Sequence, residues 1–303
     1  MKKMTFDEIL AQKAGEMEDV IKRFLPDAKG YQKTVLEAMN YAVNAGGKRL
    51  RPMLMAETAS LFGGARSQLL EPFMAAIEMI HTYSLIHDDL PALDNDDYRR
   101  GRLTTHKVYG EAMAILAGDG LLNYAYETAS RALMAAEGSE LKKVATAMAI
   151  LSQKPGIYGM IGGQVVDVEE SGQALNRDVL NFIYTNKTSA LIECAMMIGA
   201  VLAGADNDQV QCVESAADAI GIAFQIQDDI LDVEGSQEDL GKPVGSDAKN
   251  EKTTYVTLEG MDKAKNQVRQ LSLDALKMLE TVGLSEKNPF LKDLVVWLIH
   301  RKK

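Results

Sequence analysis

Disulfide chemistry has almost nothing to work with here: the 303-residue chain contains two cysteines, Cys194 and Cys212. They lie in helical apolar patterns without metal-ligand spacing, and so read as core thiols in a reducing compartment. Proline is scarce, at 7 residues, and falls mostly between periodic segments. Aromatics make up only 6%, whereas Ala, Leu, Met and Glu are abundant, a balance that favours helix. No apolar run approaches about 18 residues, so no membrane span is expected. The opening MKKMTFDEIL lacks the apolar region of a secretory signal, and a cytoplasmic location is expected. Basic excess is also missing. The net charge of −10 argues against nucleic-acid binding and means that an anionic ligand needs local cations or a metal. Strand alternation, low-complexity linkers and short-period repeats are absent.

What is present is helical periodicity. Apolar residues recur at helical spacing over about Phe6–Phe24, Gln32–Asn44, Leu69–His87, Val108–Ala136 and Ser139–Gln153. The pattern continues over Met160–Glu170, Arg177–Leu202, Val210 to the aspartates near 228, Thr253–Thr281 and Leu291–Ile299. The expected fold is all-α.

One stretch stands out, HTYSLIHDDLPALDNDDYRRGR from His81 to Arg102. Asp88, Asp89, Asp94, Asp96 and Asp97 are packed together, with Arg99, Arg100 and Arg102 directly behind. Carboxylates crowded at the end of an apolar helix are costly unless a cation neutralises them. Mg²⁺ is commonly held by one or two carboxylates plus substrate phosphates, and arginine forks match phosphate. The stretch therefore reads as metal plus phosphate, against the alternative of a solvated acidic turn. A helix break near Pro91 would bring Asp94 back beside Asp88. His81 lies two turns before Asp88 on the same face, where a core histidine is the ordinary alternative.

Upstream, Gly46-Gly47-Lys48-Arg49-Leu50-Arg51-Pro52 pairs a sharp turn with three cations at a helix start, a ready phosphate site or a solvated basic loop. Downstream, Phe224-Gln225-Ile226-Gln227-Asp228-Asp229-Ile230-Leu231-Asp232 ends another apolar helix. Asp228 and Asp232, four apart, share a face, and a metal explains why two like charges persist there. Lys187 and Thr188 sit in an otherwise apolar helical frame, where a lysine can also simply snorkel to solvent. Gly162-Gly163-Gln164 followed by Asp167 suggests close helix packing. Gly235–Gly245 is a polar loop containing Lys242. With no linker between the two acidic clusters, one bundle that serves both fits better than two domains.

Taken together, GGKRLRP, DDLPALD followed by RRG, the KT pair, FQIQDDILD and GKPVGSD resemble the short-chain trans-isoprenyl diphosphate synthases. The resemblance covers nearly the whole chain, and the four-residue spacer of the first motif is most similar to the bacterial farnesyl type. It implies a single domain over 1–303, an all-α bundle around a deep central cavity (the isoprenoid synthase fold), and a homodimer requiring three Mg²⁺. It implies metal ligation by Asp88, Asp89 and Asp94 and by Asp228 and Asp232. Arg99, Lys187, Lys242 and Lys252 would serve the allylic diphosphate (dimethylallyl or geranyl), with Thr188, Gln225 and Asp229 at the reaction site. Lys48, Arg51, His81 and Arg100 would hold isopentenyl diphosphate, and Tyr83 would gate product length at fifteen carbons. A geranylgeranyl-producing synthase is the alternative. A terpene cyclase fits less well, because its second motif differs from DDILD and GGKRLRP would be idle. A non-catalytic subunit would be expected to have lost aspartates that are intact here.

Overall fold

The computed structural model describes residues 4–234 and 253–300. Up to Ala56 and again over Arg66–Met148 the described residues form one compact unit; Glu57–Ala65 and those from Ala149 onward form a second.

In the first unit, α1 (Phe6–Phe24) opens with a reciprocal cap. The Thr5 hydroxyl accepts from the Glu8 amide at 3.3 Å while the Glu8 carboxylate accepts from the Thr5 amide at 2.8 Å. After α2 (Lys33–Val43) and the start of α3 (Leu50–Leu61) comes α4 (Glu71–Asp88), which has Pro72 in its first turn. Almost every side chain from Phe73 to Ile80 is buried, so α4 is the apolar-all-round centre of this unit. Burying a side chain such as Phe73 contributes about 1.5–3 kcal/mol. The helix packs against α6 (Glu111–Ala135), whose alanines and glycines let the two backbones approach closely. A small antiparallel ribbon, β1 (Tyr98–Arg99) and β2 (Arg102–Leu103), stands between them in sequence and pairs Tyr98 with Leu103. The sequence showed no strand alternation, and strands of two residues are too short to show any. Their turn is Arg100-Gly101, both at positive φ (53° and 74°), the geometry that matches the strand twist.

The first unit also takes in α7 (Glu140–Gln153) as far as Met148; the second contains the rest of that helix, then α8 (Met160–Glu169) and α9 (Arg177–Ile183). A π-helical turn, Tyr184–Ser189, runs on into α10 (Ala190–Ala203). Then come α11 (Asn207–Glu234), α12 (Tyr255–Glu259), α13 (Met261–Glu280), α14 (Leu284–Lys287) and α15 (Pro289–His300). Helix α11 packs on both α10 and α13. Cys194 is a buried thiol whose pKa is pushed up by burial; Cys212 is only half-buried, its Sγ 3.2 Å from the Met278 carbonyl oxygen.

Two helices expected as continuous are each broken by one glycine. The Val108–Ala136 pattern is cut at Gly110 (φ 83°, ψ 159°), leaving α5 (Thr105–Tyr109) before α6; Thr253–Thr281 is cut at Gly260 (φ 88°, ψ 157°). Apolar periodicity passes through both breaks, because only the backbone changes hand there. The two breaks match: an N-cap threonine (Thr104, Thr254), five helical residues, then the glycine. Each follows an Asp-Asp helix end.

Candidate functional site

Helix α4 delivers the first acidic pair. It ends at Asp88, with Asp89 as its cap and Pro91 two residues beyond, so the helix cannot continue. The chain then folds back: the Asp94 amide donates to the Asp88 carbonyl at 2.9 Å and the Asn95 amide to Leu90 at 3.1 Å, with Asn95 at φ 53°. This return beside Asp88 is what the Pro91 break led one to expect. Asp88 is half-buried and Asp94 exposed, whereas Asp89 is buried. Its Oδ1 accepts from Arg99 Nε at 2.7 Å and Nη2 at 2.6 Å. Burial pulls the Arg99 guanidinium down, but the bond to Asp89 and its charge outweigh that and raise it.

The ribbon carries Arg99 and Arg100 to the glycine-rich loop. Arg100 Nη1 donates to the Gly46 carbonyl, and a Cβ on Gly47 would lie 2.6 Å from the Arg100 Cζ, so a side chain there would displace the guanidinium. Of the three loop cations, Arg49 is committed to structure: it is buried, bonded to Glu78 at 2.7 Å and to the Val43 carbonyl at 2.6 Å. Arg51 is held differently. Its pKa is lowered to about 10 by burial and by Arg100, against the pull of Glu78. His81 is pushed well below its usual pKa by burial and then by the charges of Arg51, Arg100, Arg99 and Arg49. A histidine kept neutral among four guanidinium groups marks a place where positive charge awaits an anion. Lys48 lies exposed at the loop's edge. Tyr41 braces the ribbon: its hydroxyl donates to the Leu103 carbonyl at 2.7 Å and the Arg102 guanidinium stacks 4.3 Å over its ring.

In the second unit the acidic residues lie in the C-terminal part of α11, whose last turn holds no basic residue. Asp228 is half-buried; Asp229 and Asp232 are buried. Asp229 accepts from the Tyr184 hydroxyl and, at 2.8 Å, from the Tyr255 amide that starts α12. It thus ties the acidic helix end to the element that follows, as Asp89 does through Arg99. Gln225 joins this set, its amide 3.4 Å from Asp229 Oδ1 and its carbonyl accepting from the Thr188 hydroxyl at 3.0 Å. Lys187 and Thr188 lie in the π-helical turn, a distortion frequent at functional sites. Lys187 does not snorkel: it meets Asp167 at 2.6 Å. Gly163 makes room, since a Cβ there would lie 2.3 Å from the Lys187 amide nitrogen. Lys187, Thr188, Gln225, Asp229, Asp167 and Tyr184 line one pocket of about 100 Å³.

Sequence reasoning missed Glu78 and Tyr184. Glu78 had a signal, as the lone charge inside the apolar FMAAIEMI segment of α4; Tyr184 had none. Lys242 and Lys252 lie outside the described residues.

Hard oxygen donors at a helix end that already carries partial negative charge suit a divalent cation better than they suit one another. Among the described residues no three His, Cys, Asp or Glu side chains form a preassembled cage.

The polyprenyl synthetase family matches residues 32–288. The chain belongs to this family. Polyprenyl synthetase relatives include the farnesyl diphosphate synthase of Geobacillus stearothermophilus, 42% identical over 88% of this chain and 89% of that one. The chloroplastic geranylgeranyl pyrophosphate synthase of Capsicum annuum is 44% identical over 80% of this chain and 65% of its own length. A solved geranyltransferase of Helicobacter pylori, complexed with magnesium and isoprenyl diphosphate, superposes with a TM-score of 0.81 at 30% identity, covering 99% of this chain and 98% of that one. The all-α architecture is accordingly the isoprenoid synthase fold. No described helix is long and apolar enough to cross a membrane.

Proposed function

We propose that this polyprenyl synthetase is a farnesyl diphosphate synthase, condensing isopentenyl diphosphate with dimethylallyl and then geranyl diphosphate. The observation that carries the reading is the cationic nest of Arg51, Arg99 and Arg100 around a neutral His81, near the Asp88 helix end. Arg51, His81 and Arg100, with Lys48, hold the isopentenyl diphosphate; Arg99 and Lys187, with Lys242 and Lys252, hold the allylic one. Asp88 and Asp94 would hold two Mg²⁺ and Asp228, with Asp232, a third, and the bound ions would neutralise the leaving diphosphate. Asp89 assists by carrying Arg99 to the same diphosphate. Cations fixed before reaction stabilise charge as it develops on the departing group, so the allylic carbon ionises. The double bond of isopentenyl diphosphate attacks that carbon, and the proton lost goes to the departed diphosphate. Thr188 and Gln225 orient the reacting chain, and Asp229 holds Gln225 and Tyr184 in place. The chain works as a homodimer in the cytoplasm.

Arg51→Ala tests the assignment of the first diphosphate. Loss of a charge-assisted contact raises KM for isopentenyl diphosphate about 10- to 100-fold and leaves KM for geranyl diphosphate nearly unchanged. An equal rise for both would mean that the two sites are merged.

Product length turns on Tyr83. It lies five residues before Asp88, is buried, and keeps its phenol proton, burial and then the neighbouring Tyr126 and Asp88 pushing its pKa up to about 12. Incubating the purified protein with Mg²⁺, isopentenyl diphosphate and dimethylallyl diphosphate yields mainly fifteen-carbon product; Tyr83→Ala yields twenty carbons or more. Mainly twenty carbons from the unmodified chain would make it a geranylgeranyl diphosphate synthase, the activity named for the Capsicum relative.

A further inference from the structure

The Tyr83 ring does not stand alone. One helical turn on, the His87 imidazole meets it edge to face, with centroids 5.8 Å apart and planes at 77°. His87 is in turn seated on α6. Its Nε2 is 3.2 Å from the Ile115 carbonyl oxygen and 4.0 Å from the nearer Asp119 carboxylate oxygen. A carbonyl oxygen can only accept, so Nε2 carries the proton and the ring has one orientation. Ile115, Gly118 and Asp119 are three and four residues apart on α6 and so share the face that α4 packs against.

Gly118 is what lets the imidazole in. A Cβ built there would lie 2.1 Å from Nε2, 2.5 Å from Cδ2 and 2.8 Å from Cε1 of His87. Three ring atoms inside van der Waals distance leave no small adjustment; the whole imidazole must move. The glycine is not required by its backbone, since it sits within a regular helix where glycine costs about 1 kcal/mol relative to alanine. Its place is explained by the space it leaves.

We infer that His87 and Gly118 are specificity-determining residues: together they fix the Tyr83 ring and thereby set where chain elongation stops. Glycine on α6 admits the imidazole, the Ile115 carbonyl orients it, and the imidazole edge denies the Tyr83 ring the volume into which it would otherwise swing. Both are positioning residues that act through Tyr83. The inference rests on reading Tyr83 as the length gate.

The test measures product chain lengths, kcat and KM for His87→Ala, Gly118→Ala, the double variant and Tyr83→Ala. In His87→Ala the freed Tyr83 ring pivots, and the ratio of twenty- to fifteen-carbon product rises about threefold to tenfold, the span that one edge-to-face aromatic contact supports. Gly118→Ala also shifts the ratio, and the double variant returns to the His87→Ala value, because the group that the new methyl displaced is gone. A merely structural role for His87 would lower kcat with the ratio unchanged. Lengthening in Tyr83→Ala with an unaltered ratio in His87→Ala overturns this inference and leaves the gate standing. An unaltered product in Tyr83→Ala overturns the gate itself. If Gly118→Ala changes the ratio equally with and without His87, coupling through the imidazole is wrong.

Discussion

Asp228→Ala is expected to abolish most turnover without disturbing the fold. The residue stands half-buried in α11, six residues before Glu234 and one turn from the like charge of Asp232. Removing a carboxylate from such a place costs little in folding, and the thermal midpoint should move by no more than about 3 °C. The chemistry suffers far more. Losing one preorganised contact to the charge that develops on a leaving group lowers kcat about 10²- to 10³-fold. Chelation of divalent ions should do the same to the unmodified chain, with activity restored by Mg²⁺. The measurements are steady-state kinetics with both substrates and the far-ultraviolet dichroism of the variant. Turnover within a factor of about three of the unmodified chain, at full helicity, would remove Asp228 from the metal site.

Arg49→Met should behave in the opposite way, as a fold defect. Arg49 and Glu78 have side chains only 2% exposed and meet at 2.7 Å, and Arg49 also bonds the Val43 carbonyl. Deleting one member of a buried pair strands the other, at a cost of about 3–5 kcal/mol. For a protein of this size that lowers the thermal midpoint by about 10 °C. Arg49→Met combined with Glu78→Gln should recover a good part of the loss, because no charge is then left buried without a partner. If Arg49→Met melts within about 2 °C of the unmodified chain, Glu78 has another cation, and the division of labour between Arg49 and Arg51 is wrong.

That division shows where reading the sequence succeeds and where it stops. Periodicity gave α1 to the residue, and the acidic clusters at Asp88 and Asp228 were conspicuous in apolar helices, whereas Arg51 and His81 became candidates through the resemblance to the prenyl synthases. Which of three neighbouring cations faces a ligand and which is buried in an ion pair depends on Glu78, twenty-nine residues away, and no local pattern carries that. The π-helical turn was equally hidden: it needs the same residue types as an α-helix and is fixed by the close approach of Gly163 and Gly221 to Lys187 and Ser189. The breaks at Gly110 and Gly260 escaped because a glycine within a periodic run reads as a tolerated defect until its φ is known.

Two identical residues side by side invite treatment as one motif. Neighbours on a helix point about 100° apart, so the members of Asp88-Asp89 and of Asp228-Asp229 cannot look the same way. In both pairs the second aspartate is buried and holds the segment that comes next, by Arg99 in one case and by the Tyr255 amide in the other, where it also accepts from Tyr184. The first is left at the margin, half in water. A survey of substitutions that pooled the two positions would mix the loss of a half-exposed carboxylate with the loss of a buried anchor, whose removal is expected to loosen Arg99 in one case and Tyr184 with the start of α12 in the other.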